Sequence, residues 1–219
     1  MKAKRRIRCL VTAGPTREHL DPVRFLSNPS SGKMGYALAA AAMELGWRVE
    51  LVSGPVALAP PKGARMTHVV SAEGMLRAVE KLFPQCDVLI MCAAVSDFRP
   101  KKVFLHKVKK GKAALTVELE PTTDILKTVA AKKSSSQTVV GFAAETKNVE
   151  AYARKKLKEK NLDFIVANRV GRAGGGFGSD NNAVTLIGRN NTQARIGPDS
   201  KTGIARKLIL HISQKAFLP

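Results

Sequence analysis

The chain has 219 residues, 44% apolar and 5% aromatic, with 37 lysines and arginines against 17 acidic residues, a formal net charge of +20. That length and apolar content support one sizeable domain with its own core, and no apolar run reaches the roughly 20 residues that span a bilayer. Met1 to Arg8 leads straight into an apolar strand pattern, so neither a leader peptide nor a membrane partner is expected and the location read from the sequence is cytoplasmic.

The first predicted strand is Ile7–Thr12, followed by a long polar loop and a helix over Lys33–Leu45 that stops at Gly46. Strands follow at Val49–Ser53, Asp87–Cys92, Thr138–Phe142, Phe164–Ala167 and Ala183–Ile187. Between them, Ser71 can cap a helix carrying Met75, Leu76, Val79, Leu82 and Phe83 on one side. Helices are also expected over Asp124–Lys132 and Val149–Lys160, with a last one from a Ser200 cap through Ile212. Strands alternating with helices of this length predict a three-layer α/β, Rossmann-like fold around a mostly parallel sheet. Val95–Glu120 departs from that rhythm. It is long, lysine-rich and broken by Pro100 and Gly111, and Leu115–Leu119 alternates like an edge strand. We read it as a mobile lid with an attached arm, at 98–120, within one domain over 1–219. Arg169 to Ser179, with Gly171, Gly174, Gly175, Gly176 and Gly178, is read as a second mobile element or a plain surface turn.

Ligands of such sheets sit beyond the carboxyl ends of the strands. Gly14 and Thr16 stand there after the first strand, Ala93, Ala94 and Asp97 after the third, Phe142 and Glu145 after the fourth, and Asn168 after the fifth. Ser30, Ser31, Gly32, Lys33 and Gly35 place small and donor-rich residues at the first helix start, which suits a phosphate or a simple cap. Gly32-Lys33-Met34-Gly35 lacks the glycine spacing of a Walker A loop, and Gly14 does not begin a dinucleotide fingerprint, which disfavours an NADPH-dependent reductase. Asn28 can donate to a developing oxyanion or form an Asx turn; Arg24 can grip a carboxylate or phosphate or form a surface ion pair. Asp97 suits a ribose, a metal-bound phosphate or a turn cap. Lys156 and Lys160 share a helix face, where they repel unless an anion lies between them.

The four histidines are scattered without metal-ligand spacing, so no metal ligands are assigned. Cys9, Cys86 and Cys92 read as buried free thiols, because a zinc site needs more ligands in better spacing. Charge makes a nucleic-acid-binding protein the obvious alternative. The lysines are nevertheless spread along the chain, concentrating at Met1–Arg6, Lys101–Lys112 and Arg154–Lys160 without aromatic interleaving. A basic enzyme handling anionic substrates is the preferred reading, with no specific nucleic-acid partner.

The same residues carry a family resemblance that covers essentially the whole chain. Val11–Glu18, Asp21–Arg24, Ser27-Asn28 with Ser30–Gly35, Ala93–Arg99, Lys107–Lys110, Gly141–Thr146, Lys156-Leu157 with Lys160, Ala167-Asn168 and Phe177–Ile187 resemble the phosphopantothenate–cysteine ligases. The resemblance implies that a nucleoside triphosphate activates the carboxylate of 4'-phosphopantothenate as an acyl-nucleotide, with loss of pyrophosphate. L-Cysteine then attacks through its amine. It further implies Mg2+, CTP as cosubstrate with ATP as the alternative, no flavin, and a homodimer formed partly through the strand region after the lid. Asn28 is then expected to handle the acyl intermediate with Arg24 and Ala94 nearby, and Lys107 to aid nucleotide activation. Cys92, Ala93, Asp97, Thr122, Thr123, Asp124, Ile125, Phe142, Lys156 and Lys160 match nucleotide-contacting positions. Gly14, Ser31 and Gly32 are expected to hold the substrate phosphate. Two departures stand out. Thr122-Thr123 occupy the place of an Asn-Pro common in bacterial members, and the chain starts almost at the first ligase strand, where many members carry a flavin-dependent decarboxylase domain. Ligation without decarboxylation is therefore expected.

Overall fold

The computed structural model describes residues 5–111, 114–170, 181–190 and 192–217, with side chains through Gln214. Alternation along β1 (Arg8–Ala13) sets the layers: Cys9, Val11 and Ala13 face one side of the sheet and Leu10 the other, as a pleat of period 2 requires. Both sides are covered, which is why the strand reads as a continuous apolar run. α1 (Lys33–Glu44) and α5 (Lys201–Phe217) cover the Val11 side through Leu38, Ala42, Ile204 and Leu208. α2 (Ala72–Leu82), α3 (Ile125–Ala130) and α4 (Val149–Glu159) cover the Leu10 side through Met75, Val79, Val129, Ala153 and Leu157. A Cβ on Gly35 would stand 2.5 Å from the Ala13 Cβ, so glycine is what lets α1 lie this close to β1.

The remaining strands of the main sheet are β4 (Arg48–Ser53), β5 (Arg65–His68), β6 (Val88–Met91), β9 (Thr138–Glu145), β10 (Phe164–Arg169), β11 (Asn181–Gly188) and β12 (Gln193–Ser200). Their spatial order is β12-β11-β10-β9-β6-β1-β4-β5. Pairing is parallel from β10 to β5, and antiparallel for β11 and β12. Numbered by chain order, the six parallel strands run 3-2-1-4-5-6, the doubly wound arrangement of a Rossmann-like fold, with its switch point between β1 and β6. Ser71 caps α2 by accepting the Gly74 N–H, and Ser200 accepts from Gly203 at the start of α5. Among the described residues no helix is long and apolar enough to cross a membrane.

Two short antiparallel ladders escaped the sequence reading. β2 (Arg17–His19) pairs with β3 (Phe25–Ser27), and β7 (Phe98–Pro100) with β8 (Leu119–Pro121). Three residues are too few to display a period. The arm needs correcting for the same region: of Leu115–Leu119 only Leu119 is in a strand, opposite Pro100, because the alternating residues before it meet no partner strand among the described residues. β5 and β12 were also missed. β12 contains Gly197-Pro198, which reads as a turn, and an edge strand is where a proline is tolerated. Gly171, Gly174, Gly175, Gly176 and Gly178, and with them the start of the Phe177–Ile187 stretch, lie outside the described residues.

Candidate active site

The switch point is held open by threonines. Buried Thr12, on β1, accepts the Cys92 and Ala93 N–H groups through Oγ1 at 3.2 and 3.1 Å, turning the chain as it leaves β6. Beyond it, the Ala94 N–H donates to Gly14 O at 2.9 Å and the Thr16 N–H to Ala94 O at 3.2 Å. Thr16 Oγ1 accepts from the Ser96 N–H at 2.9 Å. Asn28 closes this lattice: its Nδ2 donates to Ala94 O at 3.2 Å and to Val95 O at 3.1 Å. Both amide hydrogens are thereby engaged with backbone, an arrangement that residue type alone did not foretell.

A cleft of about 400 Å³ opens on the α3–α4 side of this crevice. Asn28, Ala93, Ala94 and Asp97 form one wall; Thr122 to Ile125 and Phe142 form another; Lys156 of α4 and Lys160 just past its end reach in. Thr122 is fixed by its hydroxyl on Ser96 O at 2.6 Å and by its N–H on Asp97 O at 2.9 Å. Asp124 caps α3, accepting the Lys127 N–H at 3.0 Å, and its other oxygen lies 2.8 Å from Lys160 Nζ. Burial raises the Asp124 carboxyl, but the Lys160 and Lys127 hydrogen bonds outweigh it and hold the group below the usual carboxylate range. Lys156 pairs with Glu145 at 2.6 Å. The expected repulsion between Lys156 and Lys160 is thus relieved by two carboxylates. Glu145, on the last residue of β9, was visible as a strand-end acid but had no assigned role.

A smaller cleft, about 120 Å³, lies on the α1–α5 side of the same β6 and β9 ends. Ser31 and Gly32 line it at the α1 N-terminus, where Gly32 has φ 76° and the first turn carries no acidic residue. Cys92, Ala93, Ala94 and Phe142 line it too, so the latter three stand between the two clefts. Gly14 lines neither cleft but supports the Ala94 turn. Asn168 and Lys201 complete the smaller cleft; the Asn168 Oδ1 is buried without a hydrogen-bond partner among the described residues. Lys201 is 9% exposed. It escaped the sequence reading because it follows Ser200 as the first residue of a helix, and only the antiparallel return of β12 brings it to the α1 terminus.

Arg24 and Lys107 stand outside both linings. The Arg24 Nε and Nη2 grip Asp21 Oδ2 at 3.0 and 2.6 Å, and Nη2 also donates to Val108 O at 2.6 Å. Lys107 is exposed, and its side chain has no partner among the described residues.

Comparison with known proteins gives this geometry its context. Residues 4–216 match the family described as DNA/pantothenate metabolism flavoprotein C-terminal domain. The chain belongs to that family. It is 51% identical over 205 residues to the coenzyme A biosynthesis bifunctional protein CoaBC of Bacillus subtilis (strain 168), covering 93% of this chain and 50% of that protein. It is 50% identical over 181 residues to the CoaBC of Escherichia coli (strain K12), covering 81% of this chain and 45% of that protein. The chain spans about half the length of these curated relatives. Among solved structures, the C-terminal domain of CoaBC superposes with a TM-score of 0.81 at 45% identity over 95% of both chains. A Cab2 mutant in complex with phosphopantothenate-cysteine shares the fold alone, with a TM-score of 0.79 at 16% identity over 96% of this chain and 87% of that one.

Proposed function

We propose that this member of the DNA/pantothenate metabolism flavoprotein C-terminal domain family is a ligase condensing 4'-phosphopantothenate with L-cysteine through an acyl-nucleotide intermediate, in cytoplasmic coenzyme A biosynthesis. The observation that carries the reading is one juxtaposition: Asn28 and Ala94 share a cleft with Asp97, Thr122 to Ile125, Phe142, Lys156 and Lys160. Acyl-transfer and nucleotide residues would have little reason to meet in a domain that merely bound one ligand.

In this reading Lys156 and Lys160 exchange Glu145 and Asp124 for nucleotide phosphates, and Asp97 takes the ribose hydroxyls. Ser31 and Gly32, backed by Gly14, hold the phosphate of 4'-phosphopantothenate at the α1 terminus. A substrate carboxylate oxygen forms a bond to the α-phosphorus while the bond to the β-phosphate oxygen breaks, and pyrophosphate leaves. Lys107, with Arg24 near it, supplies positive charge in that step. The cysteine amine then bonds to the acyl carbon, losing a proton, and the nucleoside monophosphate departs. Asn28 holds the Ala94 and Val95 backbone against which the acyl group lies.

Magnesium would enter with the triphosphate, screening its charge and polarising the phosphorus. The cleft lining carries two carboxylates, Asp97 and Asp124, which fits that use without assigning either, since Mg2+ on a nucleotide needs only one or two protein carboxylates beside the phosphates. CTP is the preferred nucleotide, with ATP the alternative, and no flavin takes part. The whole of 1–219 would act as one ligase domain, and as a homodimer. Phe98, Leu105, Leu115 and Leu119 are exposed along the lid and arm, Leu105 by 87%, an apolar surface suited to a second copy.

Purified protein incubated with 4'-phosphopantothenate, L-cysteine, magnesium and CTP or ATP should release pyrophosphate and phosphopantothenoylcysteine in equal amounts. Neither product with either nucleotide would refute the assignment, and a higher kcat/KM with ATP would refute the CTP preference. Sedimentation should give twice the monomer mass; a monomer at micromolar concentration would overturn the dimer.

A further inference from the structure

Asp21 is fully buried, yet it lies in the loop between two short strands at the surface of the fold. Its Oδ1 accepts the Val23 and Arg24 N–H groups, both at 2.8 Å. Its Oδ2 accepts Arg24 Nε at 3.0 Å, Arg24 Nη2 at 2.6 Å, and the Val108 N–H at 3.1 Å. The Arg24 Nη2 donates onward to Val108 O at 2.6 Å. One carboxylate and one guanidinium therefore hold both polar groups of Val108, a residue that lies in no helix or strand. Nearby, the Phe104 N–H donates to Leu20 O at 2.9 Å.

A buried carboxylate is an expensive way to anchor a loop, since apolar packing does the same without desolvating a charge. What it adds is direction. The Val108 N–H belongs to the peptide plane that also contains the Lys107 Cα, so the Asp21 hydrogen bond orients the plane from which the Lys107 side chain departs. Charge-assisted bonds of this kind are short and geometrically demanding.

We propose that Asp21 is a positioning residue for Lys107: with Arg24 it clamps Val108 and so sets where the lysine stands during acyl-nucleotide formation. The role rests on the ligase reading, and the clamp itself can be tested without it. In the wild-type protein the Val108 amide should exchange with deuterium at least 100-fold more slowly than an unstructured amide; exchange at the unprotected rate would overturn the clamp whether or not the protein is a ligase. Single-turnover assays of Asp21→Asn, Lys107→Gln and the double variant test the role. Asp21→Asn should slow acyl-nucleotide formation at least tenfold while cysteine transfer changes less than threefold. In the Lys107→Gln background it should cost less than a further twofold. Multiplying effects in the double variant, or equal slowing of both half-reactions, would overturn the proposal. If Asp21→Asn fails to fold, Val108→Pro, which deletes the clamped N–H on an exposed loop, must reproduce the selective loss of the first half-reaction, and an unchanged rate would overturn it. Wild-type protein that forms no acyl-nucleotide from CTP or ATP would refute the ligase reading instead, leaving a protected Val108 amide to establish the clamp alone.

Discussion

Lys160 Nζ lies 2.8 Å from Asp124 Oδ2, and the same carboxylate caps α3 through the Lys127 N–H. The cap of α3 and the proposed nucleotide contact thus share one side chain. Asp124→Ala should lower stability by about 1 kcal/mol through loss of the cap, whereas Asp124→Asn, which can still cap, should lose less than half of that. Denaturant titration of the two variants checks the ordering, and equal losses would refute it. Lys160→Gln should leave stability nearly unchanged, because a partly exposed pair contributes about 0–1 kcal/mol. It should nonetheless raise the nucleotide KM roughly tenfold through a lost charge-assisted bond.

The two half-reactions should separate by residue. Asn28→Asp places a carboxylate against the carbonyls of Ala94 and Val95, which the amide now bonds. Cysteine transfer should fall about 100-fold, the scale of a lost oxyanion-site donor, because the Ala94–Val95 backbone against which the acyl group lies is pushed out of place, with acyl-nucleotide accumulating. Lys107→Gln should suppress acyl-nucleotide formation itself. Rapid-quench measurements with labelled nucleotide distinguish the two; accumulation in the Lys107 variant would reverse the assignment. A melting curve controls for Asn28→Asp simply loosening its loop, in which case both half-reactions weaken together.

Thr12→Val preserves shape at a fully buried position but removes the acceptor for the Cys92 and Ala93 N–H groups. Two partly buried donors left unpaired should together cost about 1–3 kcal/mol, the scale of one fully buried unsatisfied group. Activity should also fall, because the Ala93–Ala94 turn forms a wall of both clefts. A valine variant with unaltered stability would show that water replaces the hydroxyl.

Burial pushes the Cys86 thiol up to about 12, the Asp87 carboxylate adding to it and Arg8 opposing. Since the folded value lies above the unfolded one near 8.5, this thiol's contribution is fully present below about pH 8.5. It is lost progressively as pH rises toward 12, by up to about 1.4 kcal/mol per pH unit. Unfolding midpoints at pH 8 and pH 10 should therefore fall further in wild type than in Cys86→Ala. Parallel slopes would contradict the shift.

The sequence by itself determined the layers, the sheet class and most of the larger cleft's residues. Val11 and Leu10 announce a strand buried on both faces, Ser71 and Asp124 announce helix starts, and the rule that ligands gather at strand ends places Ala94, Asp97 and Phe142 together. Each of these signals is local, carried by a period or a cap within a few residues, and so survives without knowledge of the partner. Tertiary structure alone decided the pairings across long separations. The Asp21 hold on Val108 spans 87 residues. The seat of Lys201 beside the α1 terminus depends on β11 and β12 turning back antiparallel at the sheet edge. Pairing of Lys156 with Glu145 and of Lys160 with Asp124 depends on how α4 lies against β9 and α3. Three-residue ladders and loop clamps are stabilised by contacts between segments, and an isolated segment carries no periodic trace of a partner it meets only after folding.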